Sequence, residues 1–151
     1  FWRQDIPHRA RTLWWRLLHK HLPVATFRHA KWRHPSPLCP QCDIEDETIE
    51  HAYASCLDKR FAWIDFLRLY TTRQIWTYQD IFSLLSFDPS DFDIAPEHNI
   101  TKAQLIAAGL LGVKARNDKF YLEETTIPQT AILAVMTSSA ETIIRQNNLR
   151  R

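Results

Sequence analysis

The stretch from residue 39 to residue 56 constrains this chain more than any other, because it contains every cysteine in the sequence. It reads Cys39-x2-Cys42-x8-His51-x4-Cys56. Thiolate sulfur and neutral imidazole nitrogen are the ligands that zinc prefers, and structural zinc binds four of them as a tetrahedron. A Cys-x2-Cys turn places two sulfurs on one side of an ion, and a short helical segment brings the other two ligands close together. The spacing therefore predicts a zinc knuckle with these four residues as ligands.

The alternative is three buried or unpaired cysteines beside a surface histidine, which leaves the spacing unexplained. Four protein ligands leave no open position on the ion, so a structural zinc is favoured over a catalytic one. A knuckle needs reduced thiolates, and three cysteines cannot pair evenly, so we expect an intracellular protein, nuclear or cytoplasmic. No secretory signal opens the chain, and no apolar run reaches the roughly 18–20 residues of a membrane span. Because the first residue is Phe1 rather than Met, we expect the chain to belong to a longer polypeptide.

The loop between the second and third predicted ligands is acidic, with carboxylates at Asp43, Glu45, Asp46, Glu47 and Glu50. We expect a solvated loop rather than further ligands, because three sulfurs and one nitrogen already satisfy zinc. The carboxylates nearest the helical segment complement its positive start. One of the five is expected to accept the second ring N–H of the histidine ligand and to fix its tautomer.

The net charge of +2 conceals an asymmetry along the chain. Residues 1–34 contain eight Lys or Arg side chains and one acidic side chain, which gives +7, whereas the remaining residues give −5. Such a one-sided distribution is typical of a surface that binds phosphate groups. A solvated basic face without a partner is the alternative.

The first basic segment has the pattern of an amphipathic helix that begins after Pro7 and ends before Pro23. Its apolar positions are Ala10, Leu13, Trp14, Leu17, Leu18 and His21. The opposite side collects Arg9, Thr12, Arg16, His19 and Lys20, with Trp15 at its edge. An aromatic ring beside cations can stack on a base while its neighbours contact phosphates, although packing of Trp15 on another segment is equally compatible with the pattern.

A second short helix is predicted near Val24 to Arg33, with Val24, Phe27 and Ala30 directed inward. Arg28, Trp32 and Arg33 are predicted to face outward, before Pro35 and Pro37 break the helix. The predicted nucleic-acid contacts are therefore Arg9, Arg11, Trp15, Arg16, His19, Lys20, Arg28, Trp32 and Arg33.

The rest of the sequence also reads as helical. Asp58 is expected to cap one helix, whose apolar positions are Phe61, Ile64, Phe66, Leu67 and Tyr70. Further helices are predicted from Thr77, from Thr101 and from Thr126-x-Pro128, and the tail from Arg145 to Arg151 is expected to fray. Only two glycines occur, which disfavours hairpin-rich β folds.

The predicted fold class is mainly α: a small helical domain stabilised by a zinc knuckle, with a C-terminal helical extension and little or no β-sheet. We expect residues 1–70 to contain the basic helices and the knuckle, and residues 71–151 to pack on them as an extension or within one continuous domain.

In this order, the segments resemble the zinc-binding domain that follows the polymerase in non-LTR (LINE-type) retrotransposon reverse transcriptases. The resemblance lies in the run from Ile6 to Leu18 with its Leu22-Pro23 stop, and in Cys39-Pro40-Gln41-Cys42 with Glu47 to His51 and Cys56. A third, weaker stretch from Lys114 to Phe120 is similar to the Arg-Asn helix end of that family. Residues 1–56 make the specific match, and the remainder matches in helical layout. The resemblance implies zinc at the four predicted ligands and a hold on template RNA or target DNA near the polymerase. The chain lacks a polymerase Asp-Asp motif and any ribonuclease H or endonuclease signature.

Catalytic interpretations find little support in the residues. Zinc deaminases need a His-x-Glu arrangement, whereas His51 is followed by Ala52 and Tyr53. Asp88, Asp91 and Asp93 resemble a two-metal cluster but lie in a loop without a partner motif. No cysteine would remain free as a nucleophile.

We therefore expect a non-catalytic module whose partner is RNA or DNA, with the polymerase portion of the same polypeptide as a further partner and no membrane or small-molecule substrate. The alternative is a protein-interaction or scaffold module held by a structural zinc. Its motivation is the apolar helix from Thr101 to Val113, which can exceed what a small core covers.

Overall fold

The computed structural model describes residues 3–33, 35–87 and 92–151. Within these ranges the chain forms six α-helices and one short π-helix. They are α1 (His8–Leu18), α2 (Ala25–Trp32), the π-helix (His51–Ser55), α3 (Leu57–Tyr70), α4 (Tyr78–Leu85), α5 (Lys102–Glu123) and α6 (Gln129–Leu149). The described residues form only two isolated β-bridges, Leu38 with Asp46 and Thr71 with Ile94. The predicted mainly α class with little or no sheet is confirmed.

One buried apolar cluster runs from Ile6 to Ile144 and takes side chains from both halves of the chain. Trp14 of α1 and Trp63 of α3 lie at 0% exposure within it. Each indole N–H has an acceptor: Trp14 donates to the Leu85 carbonyl at 2.8 Å and Trp63 to the Tyr53 carbonyl at 2.9 Å. These large rings are therefore buried without leaving a polar atom unpaired.

The long helix α5 lies at the centre of the molecule, packed against α1, α3 and α6. In its first half the apolar side chains of Leu105, Leu110 and Val113 are fully buried. The apolar surface that motivated the protein-interaction alternative is thus covered within the chain. None of the described helices combines the length and apolar character that a membrane span requires.

Capping residues mark two of the predicted helix starts. The Thr101 hydroxyl accepts the Gln104 N–H at 3.2 Å while the Gln104 side chain accepts the Thr101 N–H at 3.1 Å. Thr77 and Asp80 form the same reciprocal pair at α4. Both predicted starts are confirmed. The cap predicted at Asp58 is wrong, because α3 begins at Leu57 after Cys56 and Asp58 lies inside its first turn.

Several sequence predictions about facing and helix ends are wrong. Phe27 and Ala30 are exposed, because α2 is short and only its first residue, Ala25, is buried together with the preceding Val24. Phe61 and His21 are likewise exposed.

The predicted fraying of the tail is also wrong, since α6 continues to Leu149. The Asn147 amide there donates to the Asn99 carbonyl at 2.8 Å and to the Gln104 side chain at 2.9 Å. Asp88 and Asp91 of the proposed two-metal cluster lie outside the described residues.

We expect the substitution Gly109→Ala to destabilise the protein. A Cβ at Gly109 would lie 2.1 Å from Cζ3 of the buried Trp63 ring. Overpacking of this kind costs about 1–3 kcal/mol, which exceeds the roughly 1 kcal/mol that alanine gains over glycine in a helix. Urea unfolding measures the difference. Leu122→Ala, at an 81% exposed position of the same helix, is the control and should stay within about 0.5 kcal/mol of wild type. A stabilised Gly109→Ala protein would contradict the packing at this position.

Candidate metal centre

Cys39, Cys42, His51 and Cys56, hereafter the metal centre, come together in the structure. Their ligand atoms all lie within 4.8 Å of one another. Sulfurs bound to one zinc ion at about 2.3 Å lie about 3.8 Å apart in a tetrahedron, so a small contraction of the cluster would suffice. Cys39, His51 and Cys56 are buried and Cys42 is half-buried. Three sulfurs and one imidazole nitrogen at these distances fit a metal ion bound by four protein ligands.

A tight turn positions the first two ligands. The Asp43 N–H donates to the Cys39 carbonyl at 2.8 Å, and the Cys39 N–H donates to the Glu45 carbonyl at 2.8 Å. Asp43 has a φ of 54°, a left-handed conformation that aspartate tolerates better than most residues. The turn therefore folds the chain back after Cys42 and leaves both sulfurs on one side.

The π-helix positions the other two ligands. The Thr48 hydroxyl accepts the His51 N–H at 3.1 Å at the start of this helix. The Cys56 N–H donates to the His51 carbonyl at 2.9 Å, which is the i to i+5 bond of a π-helix. The hydrogen bond that defines the helix thus joins the two ligand positions directly.

The second ring nitrogen of His51 has the carboxylate partner that the sequence predicts. Nδ1 lies 3.1 Å from Glu45 Oε2, while Nε2 lies 3.4 Å from Cys42 Sγ. A hydrogen bond from Nδ1–H to the carboxylate leaves Nε2 as the nitrogen directed at the sulfurs. The predicted acidic acceptor is confirmed as Glu45.

Protons and a metal ion compete for these donor atoms. A hydrogen bond with Cys56, together with burial, raises the pKa of the Cys39 thiol to about 12. A hydrogen bond with Cys39 raises the pKa of the His51 imidazole to about 9. Metal binding requires thiolate sulfur and neutral imidazole, so it must displace these protons. The affinity for a metal ion is therefore expected to fall as the pH falls.

The prediction of a solvated acidic loop is wrong for Glu47, which is 1% exposed. Its carboxylate accepts the Ala25 N–H at 2.8 Å and the Tyr121 hydroxyl at 2.9 Å. The Arg28 guanidinium lies 3.9 Å away. Glu47 therefore caps α2 from the metal-binding loop. The signal for such a contact was the absence of a capping side chain at Val24, which leaves the first N–H groups of α2 in need of an acceptor.

The side-chain hydrogen bonds that hold the knuckle against α5 were not predicted from the sequence. The Gln41 amide, between two ligands, donates to Asn117 Oδ1 at 2.9 Å, and its oxygen accepts from Arg116 Nε at 2.9 Å. Arg116 is 3% exposed and donates to the Asp58 carboxylate at 2.7 Å. The Arg116-Asn117 pair is therefore the surface of α5 on which the knuckle rests.

A further buried polar residue, Lys59, lies one turn beyond Cys56. Its side chain is at 0% exposure, and Nζ donates to the Ala52 carbonyl at 2.9 Å and to Asn117 Oδ1 at 2.7 Å. Helical spacing could have revealed it, because Lys59 recurs four and seven residues before the buried Trp63 and Phe66.

The predicted nucleic-acid contacts divide into exposed and half-buried side chains. The exposed ones are Arg9, Arg16, His19, Lys20, Trp32 and Arg33, and the half-buried ones are Arg11, Trp15 and Arg28. Within the described chain, Arg9 and Lys20 make no side-chain hydrogen bond or ion pair. Six of the nine side chains are therefore accessible to a ligand.

The half-buried side chains are engaged inside the molecule. Arg11 donates to the Gln4 carbonyl at 2.8 Å, and the Arg28 guanidinium lies 5.2 Å from the centre of the Tyr121 ring. Trp15 stacks on His19 with ring centres 4.3 Å apart, so one of its faces is covered. Trp32 is 65% exposed and has an edge contact with Phe27. Of the two tryptophans, Trp32 has the more accessible stacking surface.

Residues 1–63 match a family model described as zinc-binding in reverse transcriptase. The match spans the basic helices, the metal centre and the first half of α3. It agrees at this level with the resemblance in the sequence and indicates a zinc-binding module. Neither the curated proteins nor the solved structures contain a match to this chain.

Proposed function

We propose that this chain is a zinc-stabilised, non-catalytic module of the LINE-type reverse transcriptases that binds RNA or DNA through its first two helices. The match of residues 1–63 to a reverse-transcriptase zinc-binding family supports the context. The observation that carries the binding proposal is that Arg9 of α1 and Lys20 just after it have no side-chain partner in the described chain, while the indole of Trp32 in α2 is 65% exposed. In the parent polypeptide, the polymerase portion would be a further partner.

Zinc is the proposed ion because the donor set is three sulfurs and one imidazole. The four ligands are supplied by the protein, so the ion would have a structural task. The metal centre itself is poorly suited to contact phosphate, since Asp43, Glu45 and Asp46 beside it are exposed and would repel an anion. We therefore propose that the nucleic acid contacts the helices that precede the metal-binding loop.

We define the basic surface as Arg9, Arg16, Lys20, Trp32 and Arg33. Arg16 lies on the same face of α1 as Arg9, two turns later, and its Nε donates to the His21 carbonyl at 3.3 Å. Lys20 and Phe27 line one open groove of about 480 Å³, and Phe27 meets the Trp32 ring with centres 5.5 Å apart. Lys20 therefore lies near the exposed Trp32 ring by way of Phe27, so that a phosphate and a base could be contacted together.

Salt dependence of binding tests the proposal. If about five phosphates are neutralised, the slope of log K against log[salt] on a single strand should be roughly −3.5. Replacing Arg9, Arg16 and Lys20 together by Gln should weaken binding at least about tenfold and make the slope shallower by about 2. The matched control replaces Lys119, Arg145 and Arg151 by Gln, which changes the net charge equally on exposed positions of the other half.

A slope near zero, or equal affinities for the two triple variants, would contradict the proposal. Dimerisation without a mobility shift of nucleic acid would favour the protein-interaction alternative. The apolar face of α5 that suggested this alternative is covered within the chain.

A further inference from the structure

We propose that Lys59 is the counter-ion of the metal centre and sets its affinity for zinc. This inference rests on the proposed zinc ion but not on nucleic-acid binding. It assigns a charge-balancing role to Lys59, whose hydrogen-bond partners are not part of the basic surface.

The charge of the loaded centre requires a cation nearby. Three thiolates, one neutral imidazole and one divalent ion sum to a net charge of −1. Three of the four ligands are buried, and a buried charge without a partner is strongly unfavourable. The exposed Glu45 carboxylate on His51 adds negative charge and increases this requirement.

Lys59 has the opposite imbalance, a buried positive charge whose hydrogen-bond partners are neutral. Its ammonium group is fully buried, yet both of its hydrogen-bond acceptors, the Ala52 carbonyl and Asn117 Oδ1, are neutral. In the part of the chain that the structure describes, no carboxylate lies within ion-pair distance of Nζ. A cation buried among neutral acceptors is costly unless a negative charge lies close by. Ala52 follows ligand His51 directly, so the ammonium group is held against the segment that supplies two of the ligands.

The other buried cation near the knuckle already has a partner. Arg116 pairs with Asp58 at 2.7 Å, so its charge is compensated. Among the described residues, Lys59 is therefore the buried cation near the knuckle that is available to balance the thiolates. The competing explanation is that Lys59 has only a structural role. In that case its two hydrogen bonds join the π-helix to α5, and its charge has no effect on zinc affinity.

The full chain and zinc alone suffice for the test, with affinity measured by competition against a chromophoric chelator. Lys59→Met keeps the apolar stem and removes the charge, and it should lower zinc affinity about 10–100-fold. Asn117→Asp keeps an oxygen acceptor for both Lys59 and Gln41 but adds a negative charge beside the centre. It should also lower zinc affinity, by about tenfold. If Lys59 had only a structural role, the affinity should be equal or higher, because charge-assisted hydrogen bonds are stronger.

A packing control separates charge from folding. Leu67→Ala, at a fully buried position of the same helix, should lower the urea midpoint equally with saturating zinc and with excess chelator. Lys59→Met should lower the midpoint in zinc and leave it unchanged or higher in chelator. If either Lys59→Met or Asn117→Asp bound zinc with wild-type affinity, the assignment of Lys59 as the counter-ion would be wrong. A wild-type chain that binds no zinc would instead overturn the metal centre proposed above, and the counter-ion with it.

Discussion

Removal of the metal ion is expected to unfold the metal centre and to lower the melting temperature of the whole chain by about 10 °C or more. The ligands come from two separate segments, residues 39–42 and 51–56, and among the described residues no backbone hydrogen bond joins one segment directly to the other. Without an ion, buried thiols and an imidazole face one another with no cation to hold them. Structural zinc contributes an apparent ~10–16 kcal/mol in small zinc domains, and part of that would be lost here.

Circular dichroism and thermal unfolding of the full chain, with and without a strong chelator, measure this effect. Adding zinc back should restore the melting temperature. Cys39→Ser supplies the control, because it should start at the lower melting temperature and be insensitive to the chelator. If helicity and melting temperature were the same with and without chelator in the wild type, the assignment of the metal centre would be wrong.

The loss of structure should spread to α5 along a defined route. Gln41 connects the knuckle to Arg116 and Asn117, and Glu47 connects the same loop to Tyr121. Amide hydrogen exchange should therefore accelerate in residues 116–123 on chelation. Protection should persist in residues 105–113, which pack in the apolar core against α3 and α6.

Local chemistry explains which features were predictable from the sequence. Metal ligands recur at intervals that the geometry of the ion demands, so the group Cys39, Cys42, His51 and Cys56 could be named in advance. Helix starts at Thr77 and Thr101 follow from side chains that bond within three residues. The carboxylate partner of the histidine was predictable as a class, because a ligating imidazole needs an acceptor for its second nitrogen.

Features that depend on distant contacts were not predictable. Glu47 lies in a run of acidic residues that resembles a solvated loop, and its partner Tyr121 comes 74 residues later. Phe27 has the spacing of a core residue, but α2 is too short to cover it. Helical spacing indicates that Lys59 is buried, but its acceptor Asn117 comes 58 residues later and could not be named from the sequence.

Glu47→Ala is expected to destabilise the protein by about 1–3 kcal/mol, because it removes a buried carboxylate and leaves the buried Ala25 N–H without its acceptor. The Ala25 N–H and the Tyr121 hydroxyl would lose their acceptor, and Arg28 would lose its only carboxylate within 4 Å in the described chain. Burial and Glu47 together raise the pKa of Tyr121, so the phenol stays protonated and acts as a donor. Urea unfolding of the zinc-loaded protein measures the loss.

Asp46→Ala is the matched control, because Asp46 is the neighbouring carboxylate and its side chain is exposed. It should change the free energy of unfolding by no more than about 0.5 kcal/mol. Glu47→Gln should fall between the two, since an amide oxygen can still accept one hydrogen bond while the charge opposite Arg28 is lost. The order Asp46→Ala, Glu47→Gln, Glu47→Ala of increasing destabilisation separates a buried cap from a surface charge. A Glu47→Ala protein as stable as Asp46→Ala would mean that α2 is not held to the metal-binding loop through this carboxylate, and that the basic surface is positioned by other contacts.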